Sequence, residues 1–182
     1  AADMAGLKIR TMDIPVHMEI VKALGSTPTP VAFLELYSAL QTKVVDGQEN
    51  SAITMLGAKV NEVQKYVTLD GHLLGMAFLT VSESWYQGLS DEDKEACLKA
   101  GREASIAARG TVRFAESTAI AKLAEEGVEV YTPTAEELET FKIAQEPAIA
   151  WLKANIDASL VDELLALVAS GAVGTGVPPA AK

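Results

Sequence analysis

Residues 32–50, "AFLELYSALQTKVVDGQEN", decide how this chain is read. The first half reads as a helix that runs out at Thr42; "KVVDG" follows, and Gln48, Glu49 and Asn50 then stand in a row. An amide, an acid and an amide at the end of an apolar element form either a solvated turn or a polar ligand site. Alternation through "GQEN" puts Gln48 and Asn50 on one face and Glu49 on the other. Asn50 can then meet a ligand while Glu49 points back into the protein, where a buried acid needs a basic partner.

Working outward, "LKIRTM" (7–12) alternates with the period of a strand, Leu7 and Ile9 on one face and Lys8 and Arg10 on the other. Asp13 is placed to cap a helix with Pro15 in its first turn and Gly25 as its stop. "STPTP" (26–30) reads as a stiff connector, with Thr29 as cap and Pro30 opening the helix that ends near Leu40. "SAITMLGAK" follows as a helix and "VQKYVTL" as a strand. "GMAFLTVS" (75–82) is a nearly continuous apolar run, the pattern of a strand buried on both faces. Residues 90–127 form a long helical tract capped by Ser90, with Gly101 and Gly110 as possible bends. "VEVYTP" is a last strand, Thr134 and Glu137 form a capping box, "DASLVDELLALVA" is a final helix, and 171–182 reads as a disordered tail. Strands alternating with helices give an α/β fold with mostly parallel strands.

Twenty-five acidic against fifteen basic residues give a net charge of −10, which argues against a general nucleic-acid binder. No apolar run approaches the ~18 residues of a membrane span. Cys97 is the only cysteine and reads as a small buried hydrophobe, so there is no disulfide framework. His17 and His72 are the only histidines and lie far apart in sequence, which speaks against a histidine-rich metal site. No P-loop, HExxH or GxSxG motif occurs, and no nucleophile–base pair can be named. The chain opens at "AADMAGLKIR" without an initiator methionine, as expected if a leader has been removed or was never included.

What remains are polar residues on elements that otherwise look buried. Arg10 is either paired with a structural acid at a sheet edge or a bidentate clamp on a ligand carboxylate.

The order of motifs, "DMAGLKIRTMDIP", "ALGSTPTPVAFLELYSALQTKVVDGQEN" and "NEVQKYVTLDGHLL", resembles the substrate-binding proteins of tripartite ATP-independent periplasmic (TRAP) transporters, of the dicarboxylate-binding DctP type. The likeness runs from Asp3 to Pro133 and is strongest over 6–72. It implies a periplasmic-binding-protein-like fold of type II, with two α/β lobes joined in part by a long helix and closing on a small organic acid, in the periplasm, beside TRAP membrane subunits. It implies that Arg10 pairs with the ligand carboxylate, that Asn50 contacts the same region and that Phe33 lines the pocket. Glu49 and His72 match positions behind the cleft, where Glu49 orients Arg10; for His72 a satisfied core histidine is an equal alternative. It implies no cofactor and no metal.

Two departures matter. The family often has proline after "QEN", where Ser51 stands here, so a C4-dicarboxylate is not to be assumed. Family members also begin with a lobe that precedes "GLKIR". The expected division is therefore a ligand-binding lobe segment over 1–70, a return to the N-terminal lobe with the long connecting helix over 71–133, and C-terminal helices over 134–170. Strands stripped of neighbours are expected to drive self-association or domain swapping, and the chain alone to bind ligand weakly or not at all. The alternative from another class is a carboxylate-sensing module of a signalling system built on the same fold.

Overall fold

The computed structural model describes residues 1–171. Three parallel strands form the first sheet, with β1 (Lys8–Thr11) between β2 (Thr27–Pro30) and β3 (Gly47–Gln48). Arg10 lies opposite Thr29 on one side and Gln48 on the other. Gly47 is where β3 comes closest to β1: a Cβ there would sit 3.1 Å from Ile9 Cδ1.

The "TPTP" segment is thus a strand, not a connector. The reason is the edge position of β2. The N–H groups of Thr27 and Val31 donate to Leu7 O and Thr11 O, so Pro28 and Pro30 fall at alternate positions that face away from β1. An edge strand tolerates prolines there because no hydrogen bond is lost. The next helix accordingly starts later than expected. A 3-10 turn at Phe33–Glu35 precedes α2 (Leu36–Gln41), and Thr29 caps nothing. The helix α1 (Pro15–Ala23) does take Pro15 at its start, but Ile14 rather than Asp13 occupies the capping position. Gly25, at φ +81°, turns the chain out of α1 toward β2. Strand alternation also fails in β1, where Ile9, Arg10 and Thr11 are all buried: helices and loops cover both faces of a central parallel strand.

After β3, Ser51 caps α3 (Ala52–Gly57) by accepting the Thr54 N–H. A second sheet pairs β4 (Tyr66–Thr68) with β5 (Glu129–Tyr131), again parallel. Between them run α4 (Glu83–Gln87) and α5 (Asp91–Glu125), a 35-residue helix that passes Gly101 and Gly110 unbroken. Its last turns enter the core, where Ala119 and Leu123 meet Leu36, Leu40, Met55, Val60 and Val128. The capping box of Thr134 and Glu137 opens α6 (Ala135–Ala144). Then come α7 (Glu146–Asn155), which packs on α1, and α8 (Ala158–Ala169), which packs on α7.

One expected strand is not there. Residues 75–82 pair with no other strand among the described residues, and Met76, Phe78 and Leu79 are largely exposed. The run is apolar enough for a sheet interior, but it joins neither sheet of the described chain. The expected tail, apart from Gly171, lies outside the described residues.

Candidate functional site

Parallel strands place their C-terminal ends on one side, and it is there that open α/β sheets bind ligands. Arg10 is the penultimate residue of β1, Phe33 follows β2, and Glu49 and Asn50 follow β3. Sequence-distant residues are therefore brought to one end of one sheet.

Arg10 is only 2% exposed. Its Nε donates to Val31 O at 2.9 Å, and its guanidinium carbon lies 5.9 Å from the Phe33 ring centroid, within cation–π range. It makes no salt bridge with any described residue, and its Nη nitrogens have no hydrogen-bond partner among them. Burial lowers its pKa, and the charge of Glu49 acts in the opposite direction. Held by the Val31 carbonyl and set against the Phe33 ring, the guanidinium keeps its outer fork free of partners from the described residues and preorganised for a planar anion, because a carboxylate takes two parallel N–H bonds from that fork.

Around Glu49 the chain assembles two histidines. His17 Nδ1, from the first turn of α1, is 3.7 Å from Glu49 Oε1. His72 Nδ1 is 2.8 Å from Asp70 Oδ1 and feels the charge of Glu49. Burial works against a charge on His72, but the hydrogen bond to Asp70 and the charges of Asp70 and Glu49 outweigh it and raise its pKa. Glu49 thus stands between Arg10, His17 and His72 and makes its ion contact with His17 rather than with Arg10. Asn50 is exposed, and its Nδ2 donates to Gln48 Oε1 at 2.6 Å, which puts both amides on one face. Phe33 is about half exposed. Two hollows, one on α5 and one on α7, are lined by other residues than those gathered around Arg10.

Residues 1–155 match the family of bacterial extracellular solute-binding proteins, family 7, known as DctP. The chain belongs to this family. It is 36% identical over 165 residues to the sialic acid-binding periplasmic protein SiaP of Vibrio cholerae, covering 91% of this chain and 50% of SiaP. Among solved structures, a TRAP periplasmic solute binding protein of Polaromonas sp. JS666, bound to D-erythronate, superposes with a TM-score of 0.82 at 38% identity, over 91% of this chain and 54% of that one. The counterpart from Roseobacter denitrificans, with bound β-D-glucuronate, has a TM-score of 0.82 at 32% identity, covering 90% of this chain and 54% of that one. The chain spans about half the length of the relatives it matches.

As a DctP-family chain it carries site neighbours that sequence reasoning passed over. His17 and Asp70 gave no local signal, because only the fold brings α1 and the residues after β4 toward Glu49. Glu116, on α5, was not singled out either. It accepts the backbone N–H groups of Ala52 and Ile53 at 2.7 and 3.1 Å, at the start of α3. Of that role the sequence holds one trace: Ala52 and Ile53 open a helix, where N–H groups are left without intrahelical partners.

Proposed function

We propose that the chain is part of the extracytoplasmic solute-binding subunit of a TRAP-type secondary transporter. In this reading it captures a small organic acid through Arg10 and passes it to the TRAP membrane subunits in the periplasm. The observation that carries the reading is the buried Arg10, its outer nitrogens without a partner among the described residues, at the C-terminal end of a parallel sheet. Asn50 would add a polar contact to the same ligand, Phe33 an apolar wall, and Glu49 and His72 the charge balance behind them. The chain acts as a binder rather than a catalyst, with no nucleic acid, cofactor or metal.

Residues 1–70 would form the ligand-binding lobe segment. Residues 71–133 would return to the other lobe through α5, and 134–170 would supply C-terminal helices. Closure of the two lobes would exclude water, and the Arg10–carboxylate pair would strengthen in the lower dielectric. The carboxylates in the Polaromonas and Roseobacter structures make hydroxy acids and uronates the class to try first. The test is backbone amide NMR of the residues around Arg10, Phe33 and Asn50 while D-erythronate, D-glucuronate and an uncharged sugar are added at millimolar concentration. The expected outcome is a shift of these amides with the acids only, lost in R10A and reached only at higher ligand concentration in N50A. Equal response in R10A would sink the reading.

A further inference from the structure

Three polar side-chain atoms among the described residues are buried without a hydrogen-bond partner, and two of them, Thr11 Oγ1 and His17 Nδ1, flank the Arg10 region. His17 Nδ1 faces Glu49 Oε1 at 3.7 Å, too far for a hydrogen bond but close enough for one to form with a small movement. We propose that His17 is a positioning residue that takes up a proton when a carboxylate binds at Arg10, so that anion and proton are captured together; the proposal rests on the carboxylate-binding reading above.

The argument is one of charge balance. In the empty site the positive Arg10 and negative Glu49 offset each other, and His72 and Asp70 form a second pair beside them. A carboxylate arriving at Arg10 brings an extra negative charge into a region that burial keeps poorly solvated. Glu49 then shares Arg10 with the ligand and is left undercompensated. The group in contact with it that can supply a positive charge is His17. A proton from solvent onto the imidazole makes Nδ1–H a donor to Glu49, which satisfies the orphaned nitrogen and turns Glu49 toward α1.

The remaining surroundings of His17 do not supply that charge by another route. On α1, Glu19 and Lys22 pair with each other at 2.7 Å. The strand β2 carries no charged residue, and β1 carries Lys8 and Arg10. On α7, which packs on α1, Lys153 pairs with Asp162 and Glu146 adds a negative charge. The position of His17 in the first turn of α1 matters too: the positive end of a helix opposes a cation. The helix start gives no drive toward a cation there; the added anion does.

The experiment uses the full chain and D-erythronate, whose own carboxyl titrates near pH ~4 and stays ionised above about pH 5.5. Affinity is read from NMR shifts at about pH 5.5, 7 and 8.5, with wild type, H17Q, H17F and H72N. Wild-type affinity is expected to weaken at least about threefold across the range, and by no more than about tenfold per pH unit, the limit for one linked proton. H17Q and H17F should both flatten the profile, and H72N should keep it. A profile unchanged in both His17 variants, or flattened by H72N alone, overturns the proposal and leaves the receptor reading standing. Absent binding overturns this proposal for the chain, and binding that is equal in R10A removes the receptor reading as well.

Discussion

Arg10 and His72 carry buried charge in different ways. Arg10 has a carbonyl on Nε, an aromatic face beside it and no hydrogen bond from a described residue on its outer nitrogens, the arrangement on which the proposed carboxylate contact rests. His72 has its partner already, since Asp70 holds Nδ1 at 2.8 Å. Its raised pKa has a consequence with a definite sign. A group that binds its proton more tightly when folded stabilises the fold fully below its unfolded pKa of about 6.5 and loses that contribution as pH rises through the folded value. The stability gap between wild type and H72N, measured by urea unfolding, should therefore be wider at about pH 5.5 than at about pH 9. A gap independent of pH would mean that the contact with Asp70 works without the charge. Of these residues, Arg10 stood out in the sequence because an arginine between apolar neighbours on a strand calls for an explanation. The "QEN" triplet did so through its alternation. His17 was not legible, because its meaning comes from a contact between α1 and the end of β3 that no local pattern encodes.

Among the elements, α5 ties distant parts of the chain together. Its last turns bury Ala119 and Leu123 in the core, and one turn earlier Glu116 clamps the start of α3, directly after Asn50 and Ser51. Hydrogen bonds to a charged acceptor are stronger than neutral ones, though water can replace a half-exposed carboxylate. E116A should cost about 1–2 kcal/mol in urea unfolding, with faster amide exchange at Ala52 and Ile53. Unchanged exchange there would show that Ser51 alone holds the helix start. The long helix itself was plain in the sequence, as were its Ser90 cap and the capping box of α6, because caps are local chemistry. The misread elements depended on their neighbours. Proline in "TPTP" signals a break unless the strand is an edge, and an apolar run such as 75–82 signals a strand only where another strand lies beside it.

At the scale of the whole molecule, that apolar run sets the behaviour of the chain on its own. Met76, Phe78 and Leu79 are each more than 70% exposed, and Leu160, Leu164 and Val168 of α8 more than half. Monomers rarely leave contiguous apolar patches beyond a few hundred Å² uncovered. Burying one such side chain recovers about 1.5–3 kcal/mol, and a backbone without a strand partner adds unpaired N–H and C=O groups that another chain can satisfy. Opposing this is the net charge of −10, repulsive between copies and screened by salt. The two effects predict self-association at micromolar concentration that strengthens as ionic strength rises, the reverse of what charge-driven pairing would show. Native mass spectrometry and light scattering after size exclusion would measure it, and replacing Phe78 and Leu79 by lysine should shift the population toward monomer without altering the far-UV spectrum. A monomer at every concentration and salt level would mean that the 75–82 segment is tolerated in water. Salt-weakened association would place the contact on charged residues instead, and F78K with L79K would then leave it intact.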